Sequence, residues 1–293
     1  MTRPLSAGLL LNFRDAGRSI VCIESLLNEG MSPVLVWDNS ADEGESAALI
    51  QARFADDKRV IVHVSAANLG FGTGVNRALA LCKTLAGCQR VLLINNDAVL
   101  LPDALRKLGD ALDAHATAKI SFPMIEHAGK TLGPGFYHRL TGMQSWKPRP
   151  GSFSYPSGCC MLLELARIKL PLFDEDFFMY GEDCELGWRL HQHPGSIIHV
   201  PEKLVIHEGS ASSSLGSAFY EARTVASHLL LARKLARNPA DAFLLFSLRI
   251  PVLLLRATLR SFRFRSFVPW QALWPGARIA SGKDPLRQTE GTR

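Results

Sequence analysis

The sequence predicts an α/β protein with a mostly parallel sheet flanked by helices, followed by a helical C-terminal region. Two patterns lead there. Short apolar runs alternate with helix-length amphipathic segments through the first hundred residues, and each run carries polar groups only at its ends. Repeated strand, helix, strand units imply parallel pairing with right-handed crossovers. At 293 residues and 47% hydrophobic content the chain can bury a sizeable core, as one large domain or two modest ones.

The strands are expected at 7–12 (AGLLLN), 33–38 (PVLVWD), 59–64 (RVIVHV) and 90–95 (RVLLIN), with helices over roughly 17–29, 44–55 and 74–86. In such sheets ligands bind beyond the carboxyl ends of the strands. The residues that close each run therefore matter most: Asn12, Asp38, the segment after Val64, and Asn95 to Asp97.

Each of these has a plain and a chemical reading. Asp38 closes VLVWDNS, where Asp-Asn-Ser is ordinary turn chemistry. A carboxylate there also accepts hydrogen bonds without donating any, which suits the N3–H of uracil or thymine and rejects cytosine. The glycines of AANLGFGTGVNRALA (66–80) serve a strand-to-helix turn or let backbone approach a ligand; their spacing is not the dinucleotide-binding one. Asn95, Asn96 and Asp97 form either an Asx turn ahead of the next helix or an oxygen-ligand site for Mg²⁺ or Mn²⁺. His207 ends a later apolar strand and is followed by small residues, Gly209 and Ser210 among them.

The stretch FFMYGEDCELGWRL (177–190) sets Glu182, Asp183 and Glu185 at the start of a helix, beside aromatic surface. Acids in a first turn meet the positive end of the helix dipole. Glu185 and Arg189, at i and i+4, are expected to form a surface pair. Asp183 is placed to take a proton from a hydroxyl.

The formal charge of +6 is concentrated late in the chain: between Arg249 and Arg293 nine basic residues face two acids. Within 243–267, Arg249, Arg256, Arg260 and Arg263 fall on one side of a helix, with Val252, Leu254, Leu255, Leu259 and Phe262 opposite. Such a basic amphipathic helix either lies on an anionic membrane, arginines toward the headgroups, or docks on the domain with a solvated charged stripe. Arginines interleaved with leucines argue against nucleic acid. No run of 18 uncharged apolar residues exists, which argues against a membrane span. The N-terminal apolar run is too short for a signal peptide, and the six cysteines lack zinc-type spacing, so a reducing cytoplasm is expected.

Taken in order, LLLNFRDAG, VLVWDNSADEGE, NLGFGTGVNRAL, LLINNDAVL, SGCCMLL, LFDEDFFMYGEDCELGWRL and VPEKLVIHEGSAS resemble the family 2 glycosyltransferases of GT-A fold, in their rhamnosyltransferase-like branch. The resemblance covers about 7–213. It implies a GT-A domain over 1–216, with a nucleotide-sugar half to about 97 and an acceptor half from about 98, and a separate basic helical region over 217–293.

The resemblance also implies roles. Asp38 would hold the base of a UDP- or dTDP-linked sugar, with Asn12 and Phe13 lining the same pocket. Asn68, Gly70 and Asn76 would shape it, and Asn95, Asn96 and Asp97 would face the donor. Asp97 would bind Mg²⁺ or Mn²⁺ with the diphosphate, as the carboxylate of a degenerate DXD motif in which Asn95 replaces the more frequent aspartate, and His207 would be a further metal ligand. Asp183 would be the catalytic base of an inverting transfer, with Tyr180, Glu182 and Trp188 at the acceptor site and the Gly/Pro/aromatic stretch 129–156 shaping it. The expected acceptor is a glycan or lipid-linked hydroxyl in cell-surface polysaccharide synthesis, dTDP-rhamnose is one candidate donor, and the protein would sit peripherally on the inner face of the cytoplasmic membrane. The competing expectation is a catalytically silent GT-A-like protein that binds nucleotide or glycan. A sugar-nucleotide-forming nucleotidyltransferase is disfavoured, because LLLNFRDAGRS is not a glycine-rich basic triphosphate loop.

Overall fold

The computed structural model describes residues 4–209 and 215–284; Ser210, and the tail residues Arg287, Glu290 and Arg293, lie outside them. The first half follows the expected alternation: β1 (Leu5–Asn12), α1 (Ala16–Asn28), β2 (Val34–Asp38), α2 (Glu45–Arg53), β3 (Val60–Val64), α3 (Phe71–Cys82) and β4 (Cys88–Ile94). These four strands pair in parallel in the order β3-β2-β1-β4. Register sets Asn12 beside Asp38 and Asp38 beside Val64, so the strand ends singled out in the sequence share one edge.

The second half is mixed. After β5 (Ala98–Leu100), α4 (Ala104–Asp113), β6 (Ile120–His127) and β7 (Lys130–Leu132) comes a separate three-stranded sheet. It consists of β8 (Gly135–His138), β9 (Gln144–Ser145) and β10 (Ser152–Tyr155). The chain returns as β11 (Cys160–Glu164), which inserts antiparallel between β4 and β6. Helix α5 (Glu182–His191) precedes β12 (Ile197–His207), which runs parallel to β6 and antiparallel to β5.

The central strands are buried on both faces, as continuous apolar runs require, whereas the edge strand β3 leaves Ile61 and Val64 exposed. Side chains alternate along each strand. In β1, Leu10 joins Ile23, Leu26, Ile50, Leu108 and Leu112 under α1, α2 and α4, while Ala7 and Leu9 join Val75, Leu79 and Leu186 under α3 and α5. All six cysteines are free.

The C-terminal region contains α6 (Ala218–Lys234), α7 (Pro239–Phe264), α8 (Val268–Gln271) and α9 (Leu273–Ala280). Asn238 caps α7 by accepting from the Asp241 N–H at 2.9 Å, and Pro239 opens its first turn, so this pair begins one helix as well as ending the connection from another. The orientation of α7 corrects the expected basic outer stripe. Arg249 is buried and donates to the Tyr137 hydroxyl (2.7 Å) and to the carbonyls of His228 (2.8 Å) and Arg139 (2.7 Å). Arg256 and Arg260 bind the two oxygens of Glu221, whose side chain is fully buried in α6, at 2.9 and 2.7 Å. Only Arg263 of the four is exposed. The arginines turn inward because α6 and the β8 region place a carboxylate, a hydroxyl and two carbonyls there as acceptors for them.

Removing Glu221 leaves two guanidinium groups without their counter-charge. Glu221→Ala is expected to lower the unfolding free energy by about 3 kcal/mol, read as a shift of the urea midpoint, and a change under ~0.5 kcal/mol would show that the cluster is not needed to dock α7.

Candidate active site

The edge expected to hold the nucleotide is built on β1 and β2. The Asn12 amide donates to Asp38 Oδ1 at 2.7 Å and to Ser40 Oγ at 3.1 Å, and its oxygen accepts from Ser19 Oγ at 2.7 Å. Ser40 Oγ also donates to Asp38 Oδ1 at 2.5 Å. One carboxylate oxygen of Asp38 is thus fixed by two donors, while Oδ2 is buried with no partner among the described residues. That oxygen is an acceptor waiting for a donor, which an isolated buried carboxylate oxygen otherwise has no reason to be. Asn12 therefore aims Asp38 and does not itself line open space. Phe13 carries the Arg14 guanidinium 5.5 Å from its ring centre, and Trp37 stacks on His63 at 4.4 Å.

Asn39 fastens the glycine loop to this edge. Its amide donates to Asn68 Oδ1 (3.1 Å) and the Gly70 carbonyl (3.0 Å), and its oxygen accepts from the Leu69 N–H (3.0 Å). Gly70 has φ +78° and lies against the Phe178 carbonyl, which also accepts from the Phe71 N–H at 2.8 Å. Asn76 sits apart from these groups. It is buried and ties α3 to the opposite half, donating to the Phe173 carbonyl (2.8 Å) and Glu175 (3.1 Å) and accepting from the Phe173 N–H (3.0 Å).

Beyond β4, the Asn95 N–H donates to the Cys159 carbonyl at 2.8 Å, and Asn96 donates to Ser19 Oγ at 3.1 Å. The antiparallel β5–β12 pair places His207 opposite Ala98, and this brings His207 Nε2 to 3.1 Å from Asp97 Oδ1. Burial works to raise the Asp97 pKa, but the His207 hydrogen bond and charge, with Arg18 adding, outweigh it and hold it below the usual range. Arg18 reaches Glu208 at 2.9 Å and Asp15 at 2.8 Å. One carboxylate and one imidazole facing each other suit a Mg²⁺ or Mn²⁺ that takes its other ligands from phosphates and water. Among the described residues no three His, Cys, Asp or Glu side chains form a cage that would hold an ion alone.

Asp183 stands in the first turn of α5, where Gly181 at φ +95° turns the chain. One of its oxygens accepts from the Cys184 N–H at 2.8 Å and the other from the Gly158 N–H at 3.4 Å. Gly158 adjoins Cys159, whose carbonyl binds Asn95, so Asp183 is two backbone contacts from the Asp97–His207 pair. Burial raises the pKa of Asp183, and burial together with the Asp183 charge raises that of Glu182, whose Oε2 has no partner among the described residues.

One expectation for this helix changes on contact with the structure. Glu185 is buried, not superficial: Arg189, itself half-buried, covers it at 2.7 Å, since Glu185 faces the core side of α5. Trp188 packs against Phe153 (ring centres 5.2 Å apart) beneath the Arg139 guanidinium, and Tyr180, at φ +69°, meets Tyr220 edge to face at 5.3 Å. The 129–156 stretch is not a loop alone but carries the small sheet, whose Tyr137 and Phe153 are buried against α6 and α7.

Ser19, Asn39, Ser40, Gly158 and Cys159 escaped the sequence-based selection. Asn39 and Ser40 were visible only as turn residues after Asp38, and the SGCC segment gave no sign that its backbone joins the two halves. A groove of about 870 Å³ lies at the other end of the sheet, walled by the Arg53–Glu24 and Arg59–Asp57 ion pairs.

The sequence profile described as "Glycosyltransferase like family 2" matches residues 22–225. The chain belongs to glycosyltransferase family 2. This glycosyltransferase is 28% identical over 242 residues (72% of this chain, 75% of the relative) to an N-acetylglucosaminyl-diphospho-decaprenol L-rhamnosyltransferase of Mycobacterium tuberculosis. Among solved structures it resembles GalNAc-T7 with UDP, GalNAc and Mn²⁺ (TM-score 0.61, 14% identity, 79% of this chain and 48% of that one). It also resembles the mannosyltransferase PcManGT of Pyrobaculum calidifontis with GDP-Man and Mn²⁺ (TM-score 0.54, 12% identity, 98% and 88%). The chain thus spans about half the length of GalNAc-T7, and at these identities the likeness establishes the GT-A fold.

A methyl group at Gly70 would lie 2.3 Å from the Phe178 carbonyl oxygen in a backbone conformation that side chains resist. Gly70→Ala is expected to cost about 1–3 kcal/mol, seen as a lower melting temperature, whereas Gly17→Ala, with open space around it, should be neutral or stabilising.

Proposed function

We propose that this glycosyltransferase transfers a sugar, with inversion, from a UDP- or dTDP-linked donor to a hydroxyl of a glycan or lipid-linked acceptor in cell-envelope polysaccharide synthesis. The observation that carries the proposal is the short run of backbone contacts from Asp183 through Gly158 and Cys159 to Asn95, which gathers a carboxylate base and the Asp97–His207 pair at one edge of the sheet. The name of the Mycobacterium relative, a rhamnosyl transfer to a diphospho-decaprenol-linked sugar, supports a lipid-linked acceptor and keeps dTDP-rhamnose among the donors.

Asp38 recognises the base, offering its free Oδ2 to an N3–H, held in place by Asn12 and Ser40. Asp97 and His207 would hold a Mg²⁺ or Mn²⁺, and a divalent ion bound there supplies neutralising charge for a diphosphate. Asp183 accepts the acceptor hydroxyl proton as that oxygen bonds to the anomeric carbon and the carbon–oxygen bond to the nucleoside diphosphate breaks. Burial suits it to this task, because a carboxylate with a raised pKa is a stronger base than an exposed one.

Asp183→Asn is expected to keep nucleotide-sugar binding, followed by thermal shift, and lose ~10²-fold or more in turnover; a near-normal rate would remove Asp183 from the mechanism. Only the ionised base accepts a proton, so wild-type turnover should rise with pH through an apparent pKa above the ordinary aspartate range, a property of the Glu182–Asp183 pair together. Asp97→Ala should abolish metal-dependent hydrolysis of the donor; absence of that hydrolysis in the wild type under any UDP- or dTDP-sugar would favour the catalytically silent reading instead.

A further inference from the structure

We propose that α7, α8 and α9 form an in-plane membrane footprint that meets lipid through hydrocarbon side chains, with Arg249, Arg256 and Arg260 of α7 serving as internal struts. Between Phe243 and Phe262 the charged residues of α7 are Arg249, Arg256 and Arg260, and all three are turned into the protein. The opposite side carries Phe243 (76% exposed), Leu255 (58%), Leu259 (60%) and Phe262 (79%). At 1.5 Å per residue this strip runs for ~29 Å. Solvent is a poor environment for so continuous an apolar surface.

The end of the strip identifies its occupant. Exposed Phe267, Trp270 and Trp274 are flanked along the chain by exposed Arg263, Arg265, Arg278 and Lys283. Aromatic rings with basic neighbours fit the boundary between acyl chains and anionic headgroups, where hydrocarbon and phosphate are offered side by side. A protein partner would need to supply both in the same order. The helix is long and apolar enough to cross a bilayer, with a mean hydropathy of 1.8 over the 18-residue window that is 22% buried. However, Arg249 near its middle and the Glu221 cluster toward its end bolt it to the folded domain, so it lies along the surface instead of crossing. This deepens the membrane side of the proposed function and is independent of which donor is used.

The test uses the full chain in flotation assays with vesicles of phosphatidylcholine alone and with added phosphatidylglycerol. Binding to both is expected, stronger to the anionic vesicles, with 0.5 M salt removing only the anionic increment. Leu255→Glu/Leu259→Glu/Phe262→Glu should weaken flotation by ~10-fold or more while melting temperature and donor binding stay unchanged. Loss of all vesicle binding in salt would overturn the hydrocarbon contact. So would wild-type flotation of the triple variant, or a wild-type dimer in detergent-free solution that the triple variant converts to monomer without affecting flotation. Because donor binding is read separately, failure here and failure of the transferase reading give different results.

Discussion

The hydrogen bond from the Asn95 N–H to the Cys159 carbonyl joins the end of β4 to the start of β11, beside the proposed site. It exists because β11 runs antiparallel between β4 and β6, so that its beginning, not its end, lies at the edge where the parallel strands finish. From that point Gly158 holds Asp183, and the segment after Asn95 presents Asp97 to His207. A parallel strand in the same place would have delivered its far end, and Asp183 would have no backbone anchor on this side of the sheet.

The carboxylates along this edge live in different surroundings, and their chemistry differs accordingly. Asp38 is steered by two donors on one oxygen and left open on the other. Asp97 is held charged by His207 against the pull of burial, whereas Glu182 and Asp183 have only backbone and sulfur neighbours to offset theirs. Carboxylates held in such different surroundings suit the separate tasks proposed for them: an acceptor, a charge holder and a base. The family assignment rests on sequence, and these environments give it a physical content at named atoms.

Much of the first half was legible in the sequence because doubly buried parallel strands write themselves as uninterrupted apolar runs, and their polar ends mark the ligand edge. Asn12, Asp38, Asp97, Asp183 and His207 were all reached that way or by resemblance. What stayed hidden was long-range. Nothing in SGCCMLL says that its strand reverses direction, and nothing in Asn76 says that it reaches Phe173 some hundred residues away. Arginine periodicity in α7 was correctly seen, yet its direction was misjudged, because Glu221 and the carbonyls of Arg139 and His228 become visible as partners only once the fold brings them together. Periodicity identifies a face; it does not say which side is inside.

The most direct test of the shared edge is a crystal structure of the full chain soaked with Mn²⁺ and UDP or dTDP, using the anomalous signal of manganese to place the ion. The account predicts an ion within bonding distance of Asp97 and His207, the base against Asp38 Oδ2, and Asp183 facing the same space across Gly158. A nucleotide bound elsewhere, or an ion that ignores both Asp97 and His207, would contradict it.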